Sequence, residues 1–102
     1  MIGKSGLFSR PHQRPSPPRN IRGSVSRINA GNYLYFLYWD DPLNDGNGQI
    51  IKYILIDINA GSFETTASPF FINLRINFTD WVVYAVNEYG TSDPSSTLSL
   101  ST

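Results

Sequence analysis

The chain has 102 residues, 40% of them hydrophobic and 14% aromatic, with no cysteine and a formal net charge of zero. That length is one domain's worth, and the apolar content excludes a disordered chain. The lack of cysteine excludes a disulfide framework, a thiolate metal site and a cysteine nucleophile.

The neutral total conceals a division. All eight acidic residues lie at or beyond Asp40, and six of the eight Lys and Arg lie at or before Arg27. Such a split predicts two parts with different jobs: a basic arm over residues 1–19 and a compact domain over residues 20–102. The run Met1 to Phe8 lacks the apolar stretch of about 7–15 residues that marks a secretory signal. No window approaches the roughly 18 apolar residues of a membrane span. A soluble protein made in the cytoplasm, with no membrane partner, is expected.

In the arm, Arg14-Pro15-Ser16-Pro17-Pro18-Arg19 cannot be helical, because proline removes amide donors and holds the preceding residue extended. The arm carries Lys4, Arg10, Arg14 and Arg19, with Leu7 and Phe8 as its strong apolar anchors. These six residues are the candidate partner-binding set. Basic arms bind phosphate by releasing counterions, but this one lacks aromatics interleaved for base stacking. An acidic protein surface is therefore favoured over nucleic acid.

Beyond the arm, short β-rich runs alternate with turn signals, and no helical period survives. Strands are predicted near 20–28, 33–39, 49–58, 63–67, 70–76, 80–87 and 95–101. The breaks hold Gly, Pro, Asn or Asp, as at Ala30-Gly31-Asn32, Asp45-Gly46-Asn47-Gly48 and Asn59-Ala60-Gly61. Seven short strands at this spacing predict an all-β, immunoglobulin-like sandwich.

Four stretches carry a family resemblance. Pro17-Pro18 opens the first strand, Leu37-Tyr38-Trp39-Asp40-Asp41-Pro42 ends the second, and Ile51-Lys52-Tyr53-Ile54-Leu55 forms the third. With Val83-Tyr84-Ala85-Val86-Asn87-Glu88-Tyr89-Gly90 these resemble a fibronectin type III domain over roughly residues 17–102. The resemblance implies that Trp39 and Tyr53 are core residues from facing sheets, surrounded by Leu37, Leu55, Trp81, Val83 and Ala85. One departure stands out. The slot where the family places a tyrosine near the start of its sixth strand holds Thr79 here, with Trp81 following on the same face: either Trp81 replaces that tyrosine after a short deletion, or the corner is absent.

The opposite faces of two strands are unusually apolar. Alternation puts Ile54, Ile56 and Ile58 outside on one strand, and Val82, Tyr84 and Val86 outside on its neighbour. Ile54, Ile56, Val82 and Tyr84 are therefore a candidate interface face, against the simpler reading that β-branched residues favour strands. Phe36 and Tyr38 raise the same question on the other sheet. Loops 40–48 and 88–94 supply Asn47 and Tyr89 as candidate loop contacts.

Chemical sites fare worse. Setting Gly48 as the turn glycine of a calcium loop puts Leu43 at the first ligand position and Ile54 where the bidentate Glu belongs. His12, the one histidine, has no carboxylate or cysteine near it in sequence, which leaves no triad and no zinc cluster. Asp40 and Asp41 are adjacent, so strand alternation turns them apart. Asn77-Phe78-Thr79 matches the glycosylation pattern and reads as a turn. No catalytic, metal or cofactor-binding residues are assigned, and a non-enzymatic protein is expected.

A single fibronectin-like domain behind a basic arm, without an export signal, fits a part of an assembled particle. The expected role is an auxiliary (decoration) protein of a viral or tailed-phage capsid, located in the virion. Its partner would be the major capsid protein or another virion structural protein, with self-association as a further option. The alternatives are an adhesion module that reads host protein or carbohydrate through its loops, and a nucleic-acid binder acting through the arm.

Overall fold

The structure, a computed structural model, describes residues 11–102. The arm residues Lys4, Leu7, Phe8 and Arg10 lie outside the described residues, and Arg14 and Arg19 lie within them.

Eight strands follow one another: β1 (Arg19–Asn29), β2 (Asn32–Asp40), β3 (Lys52–Asp57), β4 (Gly61–Thr65), β5 (Phe70–Leu74), β6 (Phe78–Asn87), β7 (Gly90–Thr91) and β8 (Leu98–Ser101). They form two antiparallel sheets. One has the order β1-β2-β5; the other has β4-β3-β6-β7, with β8 also on β6. This is the all-β, immunoglobulin-like sandwich that the strand spacing predicts.

The strand count is corrected from seven to eight, because a two-residue strand, β7, forms at Gly90–Thr91 within the predicted 88–94 break. Pro94 has no amide to give a ladder, so the chain crosses β6 on two serines. Ser92 and Ser95 donate backbone N–H bonds to the Ala85 and Val83 carbonyls at 2.8 and 2.9 Å. Their hydroxyls accept from the Ala85 and Val83 amides, each at 2.9 Å. Side chains thus complete the pairing where a strand would otherwise run.

The core lies between the sheets and comes from alternate positions of three strands: Tyr35, Leu37 and Trp39 of β2, Tyr53 and Leu55 of β3, and Trp81, Val83 and Ala85 of β6. Trp39 and Tyr53 meet edge-on with ring centroids 5.2 Å apart. Tyr35 adds a constraint that no residue of β6 supplies. Its fully buried hydroxyl donates to the Ile76 carbonyl at 2.6 Å, pinning the turn before β6. The corner that lacks its tyrosine at Thr79 is held from the neighbouring sheet instead.

Asp57 is also buried, at the inward end of β3. Its carboxylate accepts from the Asn59, Ala60 and Asp80 amides at 2.8, 2.6 and 2.6 Å, so it closes the β3–β4 turn and ties it to β6. A buried carboxylate holding three N–H donors is satisfied and structural.

Candidate functional site

Residues 11–18 form no strand, yet they are bound to their own domain. They run as a strap across the 41–51 loop and the β6–β7 turn. The Gln13 amide donates to Gly46 O at 3.0 Å, and the Ser16 amide to Asn44 O at 2.8 Å. Ser16 Oγ in turn accepts from the Asn44 amide at 2.9 Å. Within this segment Pro15 and Pro18 are buried.

Asn87 is the pivot. It is 3% exposed, and its Nδ2 donates to both Gln13 O and Asp45 O at 2.8 Å. Its Oδ1 accepts from the Tyr89 amide at 2.8 Å. One side chain therefore joins strap, 41–51 loop and β6–β7 turn. The sequence presented Asn87 only as part of a family-like spacing; a polar residue ending an inward-facing strand was its one other signal.

The loop shape depends on two residues with left-handed backbone, Gly46 (φ 75°) and Asn47 (φ 60°), a conformation that glycine and asparagine tolerate best. A Cβ on Gly46 would stand 2.0 Å from Gln13 O, so the strap needs glycine there. Tyr89 packs its ring on His12 with centroids 4.9 Å apart. The candidate loop contact Tyr89 is thus engaged by the strap, and Asn47 holds the adjoining turn by donating its amide to Asp45 Oδ1 at 2.9 Å.

The described arm cations also find acceptors within the chain. Arg14 pairs with Asp93 at 3.1 Å and reaches Thr91 O at 3.4 Å. Arg19 Nε donates to Asp41 O at 2.8 Å. At the start of β1, Arg22 pairs with Asp40 at 3.3 Å. Asp40 is held below its ordinary carboxyl value, chiefly by the Asn20 amide it accepts from and then by the Arg22 and Arg19 charges. The acceptors these arginines meet belong to the same molecule.

An open cleft of about 850 Å³ lies beside them, lined by Arg19, Asp40, Asp41, Tyr53 and Ser68 among others. Its chemistry is already committed. Tyr53 Oη donates to Asp41 at 3.1 Å, while Asp40 is taken by Asn20 and Arg22. Among the described residues no group of three or more His, Cys, Asp and Glu is arranged to hold a metal ion.

The two outer sheet faces differ. On the β3–β6 face, Ile54 lies opposite Tyr84 and Ile56 opposite Val82, so the four candidate interface residues are brought together, each half-buried. Ile58 falls beyond β3 in the turn and is 80% exposed. On the β2–β5 face, Phe36 stacks on Tyr38 at 5.4 Å and meets Phe71 edge-on at 4.3 Å. Arg22 lies 5.7 Å above the Tyr38 ring. Phe71 joins this cluster from β5, whose register with β2 sets it opposite Phe36.

No family model matches the chain, and no curated protein matches it in sequence. Solved structures do. Domains d3–d4 of the rat CD45 extracellular region align at 22% identity and TM-score 0.67, over 89% of this chain and 51% of that one. The structure of titin kinase and its flanking domains aligns at 24% identity and TM-score 0.63, over 83% of this chain and 16% of that one. FN3tt mut aligns at 20% identity and TM-score 0.56, over 86% of this chain and 93% of that one. The chain spans about one sixth of the titin structure and half of the CD45 one. With strand order, core and register already in place, these likenesses establish the fold: a fibronectin type III-like β-sandwich.

Proposed function

We propose that this protein is a non-enzymatic binding module that serves as an auxiliary (decoration) protein of a virion, namely of a tailed-phage capsid. In this reading the basic segment before Pro11 docks on the major capsid protein or another virion structural protein, and the sandwich faces outward. The observation that carries the reading is the anchored root of the arm. Gln13, Ser16 and Asn87 fix the strap to the sandwich, so whatever the preceding residues bind is held at a defined end of a rigid bead. Arg14 and Arg19 are spent within the domain, which leaves Lys4 and Arg10 as docking cations beside Leu7 and Phe8. Function belongs to such a surface and not to the fold as such.

The strap also weighs against the adhesion reading. A paratope built from loops 40–48 and 88–94 would draw on Tyr89 and the Gly46 turn; Gly46 is buried against Gln13, and His12 packs on the Tyr89 ring, which stays 42% exposed.

The test compares the full chain with one lacking residues 1–10, and with Lys4→Glu/Arg10→Glu, by incorporation into particles. Loss of incorporation by variants that melt like the parent supports docking through the segment. Full incorporation of the truncated protein would discard it. Binding to DNA that falls steeply between low and physiological salt would move the assignment to nucleic acid.

A further inference from the structure

Sheet edges expose unpaired amides and carbonyls, and proteins blunt them with charge, proline, bulges or a covering segment. Most edges of this sandwich are treated in one of these ways. β1 carries Arg19, Arg22 and Arg27 and has register irregularities at both ends. β4 carries Glu64. β7 has two residues, and the strap's Arg14 sits on the Thr91 carbonyl. β8 has four residues, with the Ser99 hydroxyl tied to Asp80.

β5 is different. Phe70-Phe71-Ile72-Asn73-Leu74 holds no charge and no proline. It runs in unbroken register against β2 from Tyr33↔Leu74 to Leu37↔Phe70, and among the described residues it has a strand neighbour on that side alone. Its inward residues Phe70, Ile72 and Leu74 pack on the core yet stay only half-buried, because the sandwich is open along this flank. Phe71 on the outer face is 53% exposed.

We propose that β5 pairs antiparallel with β5 of a second copy across a twofold axis at Ile72, joining two three-stranded sheets into one of six strands. The pattern is self-complementary. Symmetry sets Phe70 opposite the other copy's Leu74 and Ile72 opposite itself, both on the core side. It sets Phe71 opposite Asn73 on the outer face, where the Phe36–Tyr38–Phe71 cluster would continue across the join. No charge lies within the paired strands, and the chain's formal net charge is zero, so two copies meet without repulsion. Pro69 has no amide and ends the ladder after Phe70. A twofold pairing closes on itself and yields a dimer, not a fibre.

A five-residue strand pair is small beside a standard interface, so a dissociation constant of about 10–500 μM is expected. Sedimentation equilibrium of the full chain from about 10 μM to about 1 mM should show a monomer–dimer equilibrium. Phe71→Lys with Asn73→Lys sets two like-charge pairs face to face and should weaken the dimer by about tenfold or more. Ser62→Lys, on the exposed β4 edge, should leave it unchanged. A second measurement does not depend on the lysines. In an equimolar mixture of Phe71→Cys and Asn73→Cys proteins, which carry no other cysteine, the mixed disulfide should exceed the statistical half. A protein that stays monomeric at 1 mM overturns the proposal. So does a dimer weakened by Ser62→Lys but indifferent to the β5 lysines, or a statistical disulfide distribution.

Discussion

Tyr53 combines a buried ring with a hydroxyl held on a carboxylate, and its titration follows from that setting. Burial first, and then the bond donated to Asp41, push the phenol from its ordinary 10.0 up to about 12. The unfolded chain gives up this proton nearer pH 10. Between pH 10 and about 12 it therefore binds fewer protons than the folded protein, and stability falls as pH rises. Tyr53→Phe removes both the bond and the titration. The parent should exceed the variant by about 1 kcal/mol at pH 8, and the gap should close as pH passes from 10 to about 12, read from urea melts at stepped pH. Alternation and the family resemblance placed Tyr53 and Trp39 in the core correctly. The Asp41 partnership was not legible, because Asp41 follows β2 and meets Tyr53 only when the sheets close.

At the scale of elements, the strap behaves as a removable part locked by one glycine. Gly46→Ala puts a Cβ 2.0 Å from Gln13 O and strains a φ of 75°. The strap should be displaced at a cost of about 1–3 kcal/mol. Amide exchange at Gln13 and Ser16, whose N–H groups bond Gly46 O and Asn44 O, should speed up by about tenfold or more, while β3 and β6 amides hold. Unchanged protection would mean that the strap does not depend on this turn. The extended, helix-free character of residues 11–18 was readable from Pro11, Pro15, Pro17 and Pro18. Their attachment was not, since the acceptors on Asn44 and Gly46 are backbone carbonyls that carry no sequence signature.

At the scale of the whole molecule, the strap contributes to a small domain with little stability to spare. A chain lacking residues 1–18 should melt at least about 5 °C below one lacking only 1–10, because it loses the Asn87–Gln13 and Ser16–Asn44 bonds and the buried prolines Pro15 and Pro18. Equal melting temperatures would show that the strap rests on the sandwich without stabilising it. What the sequence by itself determined is the class of fold and most of its core. Period-two alternation of large apolar residues in β2, β3 and β6 admits one buried face, and Gly, Pro, Asn and Asp mark where the chain must turn. Tertiary structure alone decided where the charges went and which edge stayed open. Arg14–Asp93 and Tyr35–Ile76 each join positions far apart in the chain, and β5 has β2 as its one strand neighbour among the described residues. Local propensity cannot encode such pairings; they exist only once the two sheets have closed on each other.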